Sequence, residues 1–186
     1  MKILEKIKYH KENKQRVRLY RRVSKGKTET SNGYILDYSD KFILIHESDD
    51  FKIDGYSIVP VKQVKKVRYD KSDEYFNQMM IWENEIERVG IDYAINLSNW
   101  QSIFELLQTK ELNVVVECEG AEINHFTIGP IVKTGKKHVH ILYFNTEGYF
   151  EDSPSSIDYK SITRIAFETQ YLTIFGKYTR RRTVDK

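Results

Sequence analysis

What this chain lacks narrows it first. Cysteine occurs once, at Cys118, so no internal disulfide can form and a reducing, cytoplasmic setting is expected. No apolar run approaches the roughly 18 residues of a membrane-spanning helix. The opening MKILEKIKYHKENK carries charges every few residues and no apolar stretch, so no secretory signal is expected. There is no Gly-x-Ser-x-Gly, no phosphate-cradling glycine loop, no Cys/His pair at motif spacing and no identifiable pair of carboxylates poised for acid–base work. A non-enzyme with no cofactor and no metal is the expectation. No Pro/Gly/Ser-rich linker interrupts the sequence, so whatever parts it has are expected to be coupled.

What is present is charge, unevenly spread. Residues 1–27 carry 11 Lys/Arg against Glu5 and Glu12, or +9, and residues 177–186 carry five against Asp185, or +4. The net charge is only +3, which leaves −10 for residues 28–176. Basic ends suit a phosphate-bearing partner, and equally the acidic body of another copy.

The chain also repeats itself. IVPVKQVKKVRY (58–69) is echoed 98 residues later by SIDYKSITRIAF (156–167), which aligns Val59 with Ile157, Val64 with Ile162, Val67 with Ile165 and Tyr69 with Phe167. Upstream, GYILDYSDKFILIHES (33–48) reads as two strands with a turn at Ser39–Lys41, and GPIVKTGKKHVHILYFN (129–145) as two more with a turn at 134–137. Strand candidates RVRLYRRV (16–23) and LNVVVECE (112–119) precede them. Each is preceded by a helix candidate: a short apolar stripe of Ile3, Leu4 and Ile7, and SNWQSIFELLQTK, with a Ser98-x-x-Gln101 capping pattern. Five short bent strands behind a helix predict a small barrel.

The expected fold is therefore mainly β with helices (α+β), as two tandem five-stranded barrels. The first helix and barrel take 1–71. A connecting segment takes 72–97, with an amphipathic helix over 72–89 stopped by Gly90 and an extra strand over 91–97. The second helix and barrel take 98–176, and a basic tail takes 177–186. The pattern resembles the Sm-like and related SH3-like small-barrel family over about 1–70 and 98–168. Gly33 matches the glycine that opens strand two in that family, and Val64–Val67 and Ile162–Ile165 resemble its apolar-x-x-apolar run. The family's Asp and Asn positions fall on Ser39 and Ile43, and on Gly135 and Val139 or its neighbour in the second copy. The resemblance thus implies a fold and an oligomer-forming binding protein, and no inherited uridine pocket.

Two binding surfaces are candidates. If Val17, Leu19 and Val23 face the core, then Arg16, Arg18, Tyr20 and Arg22 share the outer face, where arginines grip phosphates while a base stacks on the ring. Lys177, Arg180, Arg181 and Arg182 repeat that theme in the tail. Single-stranded RNA would be the partner. On the central helix, Tyr75, Met79, Met80 and Trp82 offer an apolar surface for a protein partner or a second copy. His138 and His140 on one strand face, and the acidic run Glu47, Asp49, Asp50 and Asp54, lack the spacing of metal ligands and are read as polar surface. Cys118 is in phase with Val114 and Val116 and is read as core.

Overall fold

The computed structural model describes residues 2–120 and 123–180. Among these, the chain opens with helix α1 (Ile3–Glu12), followed by strands β1 (Arg16–Ser24), β2 (Lys27–Tyr38), β3 (Phe42–Asp49), β4 (Lys52–Pro60) and β5 (Val64–Arg68). Helix α2 (Lys71–Trp82) closes this half. Helix α3 (Trp100–Thr109) opens the second, which holds β6 (Asn113–Glu119), β7 (Asn124–Thr134), β8 (His138–Ile141), β9 (Ser155–Asp158), β10 (Arg164–Phe167) and helix α4 (Gln170–Gly176). No helix among the described residues is long and apolar enough to cross a membrane.

The expectation of two separate five-stranded barrels is overturned. The strands form one antiparallel sheet in the order β5-β1-β2-β3-β4-β10-β6-β7-β8-β9. Each half does keep the same internal order, its fifth strand beside its first and its fourth at the far margin. Such a margin presents unpaired N–H and C=O groups. The groups of β4 are satisfied by β10 from the other half, with Ile165 opposite Ile58, Ala166 opposite Ser57 and Phe167 opposite Tyr56. Alternation of apolar residues decides which face of a strand is buried, but it is silent on which strand takes the free edge. The sheet is left with β5 and β9 as its margins.

The duplication is real at the level of backbone. Gly33 and Gly129 have φ of 153° and 151°, a region L side chains rarely adopt, and an added Cβ would strike the carbonyl oxygen of His46 or Leu142. Both glycines sit where a neighbouring strand crosses too closely for any side chain. Each half also packs its own helix. Ile7 of α1 joins Val17, Leu19, Ile43, Val59 and Val67. Ile103, Phe104 and Leu107 of α3 join Val114, Val116, Val139 and Ile165, and this larger core also takes Phe42, Leu44 and Ile58 from the first half. Each such fully buried side chain contributes about 1.5–3 kcal/mol of transfer free energy, so the shared core and the β4–β10 ladder together tie the halves into one body.

Local signals were met unevenly. Helix α2 ends at Trp82 rather than running to Val89; Asn84 is left-handed, and a 3₁₀ turn follows over Glu85–Arg88. Its start is fixed by Asp70, whose carboxylate accepts from the Ser72 and Asp73 N–H groups. In α3 the cap is Asn99, which accepts from the Ser102 N–H, and not Ser98. Residues 91–97 form no strand. Their apolar side chains Ile95 and Leu97 are buried against α3 without any backbone partner strand, so alternation here reflects a loop lying over the core. Helix α4 lies within the stretch read as the second barrel. It is capped by Thr169, 99 residues after Asp70, and packs Leu172 and Phe175 on Ile128 and Phe144. The repeat is therefore helix, five strands, helix.

Candidate functional site

Strand alternation places Val17, Leu19 and Arg21 inward, with Val23 only half-buried. Arg16 is not on a free face. Helix α2 covers the start of β1, and the Arg16 guanidinium lies 4.1 Å from the Phe76 ring centre while its Nε donates to Ser48 Oγ at 2.6 Å. Burial, opposed by Tyr34 and Asp73, lowers its pKa from the ordinary value. Arg18 Nε donates to Asn32 Oδ1 at 2.9 Å. Tyr20 lies across from Lys66 on β5, whose ammonium sits 5.5 Å from its ring centre, and a hydrogen bond from Arg68 lowers the phenol's pKa. Arg68 in turn is clamped by Asp73 at 2.8 Å and Asp70 at 3.0 Å. Of the four residues read as one face, Arg18 and Tyr20 stay together, Arg16 is taken up by α2, and Arg22 is exposed at the end of the strand. In the tail, Lys177 and Arg180 are exposed, Arg180 packing on the Tyr149 ring at 4.3 Å. Arg181 and Arg182 lie outside the described residues.

Helix α2 divides its apolar residues between two faces. Phe76 and Met80 point to the sheet, Met80 fully buried with Tyr34 and Ile53. Tyr75, Met79 and Trp82 form the opposite stripe. Trp82 is 61% exposed and Tyr75 60%. Phe51, at the tip of the β3–β4 hairpin, stacks on Phe76 at 4.7 Å and reaches the same side. Together Phe51, Tyr75, Met79 and Trp82 line a groove of about 580 Å³, bordered by Lys52, Glu83 and Glu85. The stripe that the sequence showed at helical spacing thus faces out, and Met80 beside it is the residue that holds the helix down.

The seam between the halves carries charge that sequence reasoning passed over. Arg164 on β10 donates to Glu47 Oε2 at 2.5 Å and to Glu117 Oε2 at 2.8 Å. Burial works against its charge, yet the two carboxylates outweigh it and raise its pKa. Arg21, 1% exposed, reaches across to Glu119 at 3.1 Å and to the Thr163 carbonyl at 3.1 Å. Its burial was signalled by its phase with Val17 and Leu19, which the charge obscured.

His138 lies exposed on β8, 3.9 Å from Asp158, and His140 on the same face is half-buried. His125, on β7, contacts the Thr127 hydroxyl. Among the described residues no three His, Cys, Asp or Glu side chains are grouped to hold a metal ion. Cys118 is buried, and burial, with Glu119 nearby, pushes its thiol up to about 11, which suits the inert thiol of a packed core.

No protein-family model, no curated protein and no solved structure matches the chain, so the Sm-like resemblance rests on strand pattern alone.

Proposed function

We propose that this chain is a non-catalytic interaction module whose docking face is the α2 groove. The observation that carries the reading is the outward stripe of Tyr75, Met79 and Trp82 beside Phe51, two aromatics of which are more than half exposed on an ordered, capped helix. Aromatic side chains held rigid in this way are the anchors of protein interfaces. Glu83 borders the groove, with Glu74 next to Tyr75 and Asp50 next to Phe51, against Lys52, while Glu85 is already paired with Arg88. The occupant that fits is an amphipathic helix from a partner protein, presenting apolar side chains flanked by cations. The same acidic border disfavours a nucleic-acid backbone on this face.

The test uses a Trp100→Phe protein, which leaves Trp82 as the only indole, and an amphipathic helical Leu/Lys peptide beside a scrambled peptide of equal composition. A saturable blue shift of Trp82 emission with the ordered peptide alone, retained in high salt, supports the groove. No shift, or equal shifts with both peptides, overturns it. A shift that follows protein concentration without peptide would make a second copy the occupant.

The second reading, RNA binding through Arg16, Arg18, Tyr20 and Arg22, is weakened by the internal partners of Arg16 and Arg18. Arg22 is the member with no ion pair among the described residues, and it belongs to a different surface.

A further inference from the structure

The repeated turn between the fourth and fifth strands contributes one lysine from each copy. Lys62 follows β4 and Lys160 precedes β10, 98 residues apart, and the β4–β10 ladder brings both turns to the same end of the sheet. There they line a cleft of about 570 Å³ together with Arg22 and Ser24 from the end of β1, Lys25 from the β1–β2 turn, and Ser161. Four cations converge, and among the described residues that line the cleft there is no carboxylate. None of the four side chains is in an ion pair with another of the described residues. The Ser24 hydroxyl is buried without a hydrogen-bond partner, an uncommon state for a group that water or a ligand normally satisfies.

The walls are fixed. Arg21 lies beneath the cleft and bonds the Gln63 and Thr163 segments from both sides, and its own charge is met by Glu119. It therefore holds the two lysine-bearing turns together without offering its charge to a ligand. Like charges gathered in one cleft repel, and an anion that seats among them offsets that cost.

We infer that this cleft at the junction of the halves binds a compact polyanion carrying adjacent phosphate groups. Four positive charges ask for three or four negative ones, which a diphosphate or triphosphate supplies in a volume of this size. Arg22 offers a planar fork to phosphate oxygens, the lysines offer point charges and Ser24 a hydroxyl donor. The same groups are found in a free polyphosphate and in successive phosphodiesters of RNA. The site stands apart from the α2 groove, so either can fail without the other.

The test is calorimetric titration of the full chain with inorganic tripolyphosphate, and fluorescence anisotropy with a labelled single-stranded RNA 12-mer, each at low and physiological salt. The variant Lys62→Ala/Lys160→Ala changes two exposed side chains, and Lys8→Ala/Lys136→Ala removes two exposed lysines elsewhere. Saturable tripolyphosphate binding, weakened more than tenfold by the first variant and unchanged in the second, supports the site with a free polyanion as its ligand. RNA binding with that same loss, displaced by tripolyphosphate, supports it with the phosphodiester chain as the source. Ser24→Ala should weaken either by a few-fold. Absence of saturable binding to both probes, or equal losses in both double variants, overturns the inference.

Discussion

Arg21 and Glu119 face each other across the seam, guanidinium Nη1 to carboxylate Oε2 at 3.1 Å, one from the first strand of each half. The Thr163 hydroxyl donates to the same carboxylate oxygen at 2.6 Å, and Ser31 and Gln63 hold the guanidinium. The pair is buried on the arginine side, so its geometry is set by the union of the halves. Replacing Arg21 with Met would strand the Glu119 charge and is expected to cost about 3 kcal/mol. Adding Glu119→Gln should recover part of that loss. Urea unfolding of the three proteins checks it, and a change under about 0.5 kcal/mol for Arg21→Met, within the range of a surface substitution, would show that the pair contributes nothing to the seam.

The two glycines of the repeat should be equally intolerant. At Gly33 and Gly129 a methyl group meets a carbonyl oxygen of the crossing strand and the backbone lies outside the range of L residues. Either Gly→Ala change is expected to cost about 3 kcal/mol or more, combining overpacking and backbone strain. Gly90 has open space around its Cβ position and an ordinary φ; Gly90→Ala should change stability by less than about 1 kcal/mol. Thermal unfolding compares them, and a mild effect at either Gly33 or Gly129 would mean that the crossing strands can move apart.

The sequence made the ten strands visible and much of the helix content, because alternation and caps are local. It showed Gly33 and Gly129 in matching places and put Cys118 in the core. It could not show the β4–β10 ladder, since an unpaired strand edge accepts any partner of suitable length. That missing contact is also why two barrels were expected, why Arg21 and Arg164 were not singled out, and why Glu47 was read as polar surface: Arg21 meets Glu119, and Arg164 meets Glu47, only across the seam. Conversely the Tyr75–Trp82 stripe was found by its spacing, while the face it presents depended on Phe76 and Met80, which only packing distinguishes.

His46 should make stability depend on acid. Its ring stacks on Tyr56 at 4.4 Å, and Nδ1 accepts the Gly90 N–H at 3.2 Å. Burial first, and Arg88 second, lower its pKa from 6.5 to about 4, with Asp54 acting in the opposite direction. Between these values the unfolded chain binds a proton that the folded chain does not, so stability falls as pH drops through the window, by up to roughly 3 kcal/mol. Above the unfolded value the group contributes no pH dependence. His46→Phe keeps a ring on Tyr56 and removes the titration. The stability of the natural chain relative to this variant should therefore fall from pH 7 to pH 4; a difference that stays level would assign the histidine an unshifted pKa.

The two tryptophans separate docking from packing. Trp100 is buried, with its ring centre 4.5 Å from that of Phe42, and joins α3 to the first half. Trp82 is edge-on to Tyr75 at 6.2 Å and otherwise open to solvent. Trp100→Ala should cost about 3–5 kcal/mol through the cavity it leaves, whereas Trp82→Ala should stay within about 0.5 kcal/mol because little packing is lost. Acrylamide quenching in single-tryptophan variants should reach Trp82 readily and Trp100 hardly at all. A large stability loss on Trp82→Ala would give that ring a structural task in the isolated chain, and the exposed stripe would then no longer argue for a partner.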